Sequence, residues 1–371
     1  MDFRLRPVSF TDLAGWQDDD PSVLLPAMAR CRDHIVNNKP YKTGGLGISA
    51  AELLPALEAA AMHTPASASE SRIFFEEWFS PFRIEKVDGT EGFLTAYYEP
   101  EVEVKAEPNQ DFRYPFYRRP ADLADIDDAN RPSGMDPYFA FGWMQEAGIR
   151  EYPDRAAIEQ GFLAGRQLEI AWARSKVDVY FAHIQGAARL LYPDGSLRRI
   201  TYAAKTGHPF SPIGKLLIDR GEIDRATVSM ASIRDWLARN PDRMDEVLWH
   251  NRSFIFFREA EVEDSSLGPI AAAKVPLVPG RSLAVDRLIH TFGLPFYITS
   301  ETLTVIDEGK SFQRLMLALD TGSAIVGPAR GDIFTGSGEA AGDRAGSVRN
   351  AADFFILIPK QAAARYLHGQ G

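Results

Sequence analysis

Cysteine occurs once in this 371-residue chain, at Cys31, so no disulfide can form within it and no cysteine-rich zinc site exists. Cys31 stands among charges in MARCRD, a poor setting for a lipid-attachment cysteine. Long apolar runs are missing too. No stretch of about 18 apolar residues occurs, which excludes a membrane-spanning helix. The opening MDFRLRPVSF has no basic segment followed by an apolar one, so no export signal is visible. Positive charge is short, with 41 Lys and Arg against 51 Asp and Glu and a net charge of −10. That argues against a nucleic-acid partner, because phosphate binding needs a basic stripe. Internal repeats and low-complexity segments are absent. So is the alternating acidic loop that calcium sites favour.

What is present suits a folded, two-domain protein. The chain is long for one core, and its 45% hydrophobic and 25% charged residues are those of a soluble globular protein. The N-terminal part reads as helix. Asp20-Pro21 supplies a cap and a first-turn proline for a helix through Leu24, Leu25, Met28 and Ile35. Ser49 and Glu52 form a capping box before Leu53, Leu54 and Leu57. A third helix from about Ser69 carries Ile73, Phe74, Phe75, Trp78 and Phe79 as a core stripe.

At Gly92 the period changes to two. Phe93, Thr95 and Tyr97 alternate with Leu94, Ala96 and Tyr98 until Glu99-Pro100 ends the strand. This is either an ordinary half-buried strand or the floor of a sugar groove, since Tyr and Thr join an apolar surface to a hydroxyl. The charged stretch VEVKAEPNQDFR and the loop ADLADIDDANRPSG are poor core material, and residues 104–243 read as a separate unit. Within it, Lys176–Gln185 and Leu197–Ala203 are expected as strands divided by the turn Pro193-Asp194-Gly195. Ser211-Pro212 opens a helix that Gly221 stops, and Asn240-Pro241 starts another. Strands return from Ser253 as SFIFF, LPFYI, LMLAL, AIVG and DFFILIP.

The chemistry concentrates in Leu315–Gly346, LMLALDTGSAIVGPARGDIFTGSGEAAGDRAG. An apolar run drives into Asp320, a small-residue turn follows, Arg330 and Asp332 arrive together, and Gly336 and Gly338 bracket a tight corner. A third aspartate, Asp286, lies upstream in VPLVPGRSLAVDRLIHTFGLPFYI. Taken singly, each Asp beside Gly could be a turn residue.

Together these stretches resemble the membrane-bound lytic transglycosylase A (MltA) family with its three-aspartate 3D domain. The resemblance extends over FLTAYYEP, YPFYRRP, IQG, TGHPFSPIGKLLIDRGEI and NRSFIFFR, in order and at matching spacing. It implies a mainly β protein with N-terminal helices. The catalytic domain would be a double-psi β-barrel built from residues 1–103 and 244–371, with the 3D region at about 268–360. Residues 104–243 would form an inserted β-barrel-like domain, with a groove between the two.

The implied activity is non-hydrolytic cleavage of the β-1,4 bond between N-acetylmuramic acid and N-acetylglucosamine in peptidoglycan, leaving a 1,6-anhydromuramyl end. By position Asp332 is the catalytic acid, and Asp320 and Asp286 support it. Thr95, Tyr97, Tyr98, Gln185, Lys205 and Arg330 become substrate-binding candidates, Gln185 and Lys205 for acetamido or lactyl groups. Ala96 stands where the family usually has glycine. The resemblance implies no metal or other cofactor, a monomer, glycan strands as substrate and cell-wall synthases as neighbours. It places the chain in the periplasm, associated with the outer membrane.

A single acid suffices for such a reaction, but it must be protonated at working pH, so a partly desolvated setting that raises its pKa is expected. Two alternatives stay open. A hydrolase would use Asp320 or Asp286 as a second carboxylate and yield a reducing end. A carbohydrate- or cation-binding module would use the three aspartates as ligands.

Overall fold

The computed structural model describes residues 2–262 and 264–367. The chain divides into two compact units, Met1–Tyr98 with Val262–Gly371, and Glu99–Glu261.

The first unit holds one sheet of eight strands: β1 (Phe3–Pro7), β2 (Phe79–Lys86), β3 (Gly92–Glu99), β4 (Ser282–Ala284), β5 (Pro295–Ser300), β6 (Phe312–Asp320), β7 (Arg330–Ser337) and β8 (Arg349–Pro359). Their order is β1-β2-β8-β5-β6-β4-β7-β3, and β8 also pairs with β3. The last six strands therefore close into a barrel. The length of β8 makes this possible, since Arg349–Ala352 pair with β3 while Phe355–Pro359 pair with β2. Most pairings are antiparallel, but β4 runs parallel to β6. Leu94, Leu283, Phe296, Leu315, Leu317, Ile333 and Ile356 are buried in the core this unit encloses.

Helices α1 (Leu24–Asn37), α2 (Ala50–Met62) and α3 (Ala68–Trp78) share that core through Leu25, Met28, Leu53, Leu57, Phe74 and Phe75. Helix α2 starts where its capping box predicts, with Glu52 N donating to Ser49 Oγ at 3.3 Å and Ser49 N to Glu52 Oε2 at 2.9 Å. Helix α1 starts later than its Asp-Pro signal suggests. Asp20 Oδ1 accepts from Ser22 N and Pro21 O from Leu24 N, so Pro21 belongs to a lead-in turn. In the core stripe of α3, Ile73 is instead exposed. The AIVG run is a turn, not a strand. Ile325 N donates to Gly322 O, Gly327 takes φ +114°, and Val326 faces solvent. Helices α4 (Glu339–Gly346) and α5 (Lys360–Leu367) flank β8 in sequence.

The second unit is wider than 104–243, because Glu101–Lys105 and Ile255–Glu259 belong to its sheet. The strand order there is Ile255–Glu259, Leu197–Lys205, Ala187–Leu191, Glu101–Lys105, Glu169–Ala173 and Tyr114–Tyr117. A parallel bridge between Arg118 and Phe257 draws the two edge strands together. Lys176–Gln185 is a helix, contrary to the strand expected there. Ser175 Oγ accepts from Asp178 N at 3.2 Å, Val179, Ala182 and His183 are buried at helical spacing, and Gly186 ends it at φ +76°. The Pro193–Gly195 turn therefore joins Ala187–Leu191 to Leu197–Lys205.

Candidate active site

Strands β3 and β7 present matching rows of side chains. Along β7 the two-residue period puts Arg330, Asp332 and Phe334 on one face and turns Gly331 and Ile333 into the core. A Cβ on Gly331 would lie 2.8 Å from Leu283 and 3.0 Å from Phe354, so any larger residue there would have to displace these packed side chains. Along β3 the facing row is Phe93, Thr95 and Tyr97. The rows meet pair by pair. The Arg330 guanidinium lies 5.3 Å from the Phe93 ring centroid, Thr95 Oγ1 donates to Asp332 Oδ1 at 2.5 Å, and the Tyr97 and Phe334 rings are 5.4 Å apart.

Asp320 joins this row from β6. Ala284 of β4 pairs with Asp320 on one side and Asp332 on the other, so the two aspartates sit two strand spacings, about 10 Å of backbone, apart. Their surroundings differ. Asp320 accepts three hydrogen bonds, from the Tyr97 hydroxyl at 2.9 Å, Thr321 N at 2.9 Å and Ala272 N at 3.2 Å. Burial raises its pKa against those donors. Asp332 has one side-chain donor, Thr95, and burial pushes its carboxyl up to about 6. The Thr95 hydrogen bond and the Arg330 charge work the other way, and the Asp320 charge adds a small further rise. Tyr97 stays a neutral phenol, since burial first and the Asp320 carboxylate second push its pKa up.

Asp286 is buried and acts on backbone. Its Oδ1 accepts from Leu288 N at 2.9 Å and its Oδ2 from Gly327 N at 2.8 Å. His290, a residue that the sequence reading passed over, donates from Nε2 to Pro328 O at 2.8 Å. Both therefore hold the loop that leads from Asp320 to Arg330. Its sequence signal was position alone, four residues beyond Asp286.

The remaining candidates fall elsewhere. Tyr98 points to the other side of β3 and is buried, with its ring 2.8 Å from where a Cβ on Gly342 of α4 would lie. Packing is its observed role. Gln185 and Lys205 belong to the second unit, Gln185 at the end of a helix and Lys205 at the end of a strand. Lys205 Nζ lies 3.3 Å from the Tyr138 hydroxyl and 4.9 Å from its ring centroid. Phe93, which the alternation places on the face of Thr95 and Tyr97, and Phe334 complete the site row, although neither was expected as a substrate-binding residue. Among the described residues no three His, Cys, Asp or Glu side chains converge as a metal-holding group.

A closed six-stranded barrel carrying a desolvated aspartate beside a hydrogen-bonded second one, with a β unit between β3 and β4, defines a barrel-borne carboxylate site of the insert-bearing class. The MltA specific insert domain matches residues 93–258 and the 3D domain residues 281–358. The membrane-bound lytic murein transglycosylase A of Escherichia coli K12 is 31% identical over 284 residues, 74% of this chain and 68% of its own. The crystal structure of a membrane-bound lytic murein transglycosylase from Agrobacterium tumefaciens matches at TM-score 0.94 and 63% identity, covering 98% of this chain and 99% of that one. MltA from Neisseria gonorrhoeae matches at 0.78 and 28%, covering 96% and 92%. Escherichia coli MltA with bound chitohexaose matches at 0.68 and 26%, covering 97% and 95%. The chain belongs to the membrane-bound lytic murein transglycosylase A family and carries its 3D domain.

Proposed function

We propose that this chain is a peptidoglycan lytic transglycosylase that cleaves the N-acetylmuramic acid–N-acetylglucosamine β-1,4 bond with Asp332 as acid and then base. One observation carries the reading: Asp332 is the carboxyl that burial pushes up to about 6, with one side-chain donor on it. Such a group holds its proton in mildly acidic solution and can deliver it to the glycosidic oxygen. As a carboxylate it then takes the proton of the muramyl C6 hydroxyl, whose oxygen bonds to C1 and closes the 1,6-anhydro ring. That attack is intramolecular, so it starts from a high effective molarity.

Asp320 is poorly suited to be a hydrolase's second carboxylate, because three donors already occupy it. Its part is to fix Tyr97 and the Thr321 turn. With the Thr95 and Tyr97 hydroxyls committed to carboxylates, β3 offers sugars the Thr95 methyl, the Tyr97 ring and the exposed Phe93 ring. Gln185 and Lys205 are the sugar-contacting groups of the second unit. Double-psi connectivity of the barrel, a glycan groove, a monomeric state, cell-wall synthases as neighbours and a periplasmic, outer-membrane-associated location belong to the same reading and rest on family membership. No helix among the described residues is long and apolar enough to cross a membrane.

The test is the mass of the muropeptides released from murein sacculi. Anhydro ends are expected. Products heavier by one water would move the assignment to the hydrolase.

A further inference from the structure

The Thr95 hydroxyl bridges two partners of fixed character. Arg330 Nη2 donates to Thr95 Oγ1 at 2.7 Å, and Thr95 Oγ1 donates to Asp332 Oδ1 at 2.5 Å. A guanidinium can only donate. Arg330 takes one lone pair of Oγ1, and among the described residues Asp332 is the acceptor in reach of the single hydroxyl proton of Thr95, which is therefore directed at it. The short contact is that of a hydroxyl donating to a carboxylate-type oxygen. Arg330 is itself held, stacked on the Phe93 ring at 5.3 Å and donating from Nη1 to Gly331 O.

We infer that Arg330, acting through Thr95, fixes the transferable proton of Asp332 on Oδ2. Oδ1 is an acceptor in both protonation states, so the acid's proton has one place to reside. Arg330 is thus a positioning residue. The inference rests on the reading of Asp332 as the acid and adds which oxygen gives up the proton and takes it back. It also explains a compromise in the site. A cation next to the acid lowers its pKa, yet here the cation is joined to it through a neutral hydroxyl, and the carboxyl remains raised. The charged and titratable groups facing Asp332 are Arg330 on its own strand, Tyr97 on β3 and Asp320 on β6, with Lys274 acting on Asp320.

Two measurements test this. Neutron diffraction from perdeuterated wild-type crystals at pH 5 should place a deuteron on Asp332 Oδ2, and a deuteron on Oδ1 overturns the inference. The second is the pH profile of kcat and KM on murein glycan strands for Arg330→Met, Thr95→Val, Thr95→Ser and the Arg330→Met/Thr95→Val pair. Arg330→Met and Thr95→Val should each lower kcat by about tenfold or more, with little change in KM, and move the alkaline limb to higher pH. The pair should fall no further than Thr95→Val alone, and Thr95→Ser, which keeps the hydroxyl but loses the methyl offered to sugar, should restore kcat and the alkaline limb whatever its KM. Additive losses, or a change in KM alone or an unmoved alkaline limb in folded Arg330→Met or Thr95→Val, would refute the relay. An active Asp332→Asn would instead remove the acid assignment itself, so the two failures are distinguishable.

Discussion

The Tyr97 hydroxyl donates to Asp320 Oδ2 at 2.9 Å, on the same strand face from which Thr95 reaches Asp332. Tyr97→Phe removes that donor and leaves Asp320 with the two backbone amides of Thr321 and Ala272. A hydrogen bond to a buried carboxylate is worth about 1–3 kcal/mol. Urea denaturation at pH 7 should show a loss in that range. Because Asp320 contributes only slightly to the Asp332 titration, the pH limb of activity should stay in place. Full stability in Tyr97→Phe would mean that Asp320 needs no phenol.

Asp332→Asn keeps the volume and an acceptor for Thr95 but has no proton to give. General acid–base assistance is typically worth about 10²–10⁴ in rate. Turnover of murein should therefore fall below a few per cent of wild type while the circular dichroism spectrum is retained. Faster turnover would sink the assignment of Asp332 as the acid.

Much of this site was legible because its parts are local. The alternation of Phe93, Thr95 and Tyr97 declares one strand face, and the structure confirms the face. The Ser49–Glu52 cap is likewise a short-range signal and fell where expected. Lys176–Gln185 misled because Val177, Val179, Tyr180 and Phe181 favour strands, while the deciding Ser175 cap lies outside the run. Ala324–Val326 misled in the same way, its apolar residues being overruled by the glycines on either side. What no local pattern reveals is partnership across the sheet. Ala284 between Asp320 and Asp332, or Arg330 on Phe93, depends on which strands neighbour each other. The i, i+2 spacing of Arg330, Asp332 and Phe334 was the available sign of a strand.

Lys205 tests the second unit. Its ammonium lies over the Tyr138 ring and within 3.3 Å of that hydroxyl, on a partly exposed side chain. Lys205→Ala should lower kcat/KM on sacculi by about tenfold, the worth of one charge-assisted hydrogen bond to substrate. The melting temperature should hardly move. A Lys205→Ala/Gln185→Ala variant with wild-type kcat/KM would show that these residues do not bind glycan.

Two buried groups of the barrel unit oppose each other in acid. Burial pushes His290 down from its ordinary 6.5 to about 4, so its contribution to stability is complete above 6.5 and is lost as pH falls towards 4. Burial pushes Asp332 up from 3.8 to about 6, so the folded state holds that proton more tightly. Its favourable contribution is complete below 3.8 and is lost as pH rises through about 6. Each is worth about 3 kcal/mol over its window, and the windows largely overlap with opposite sign. Acidification from pH 7 to 4 should therefore destabilise Asp332→Asn by about 3 kcal/mol more than wild type. His290→Gln, which can still donate to Pro328 O, should be stabilised by a similar amount relative to wild type over the same range. At pH 7.5 Asp332→Asn should be the more stable protein, because wild type then buries a carboxylate. Urea unfolding of the three proteins at pH 7.5, 5.5 and 4 decides the matter. Curves that run parallel across pH would show that neither group keeps its shifted titration in the folded chain.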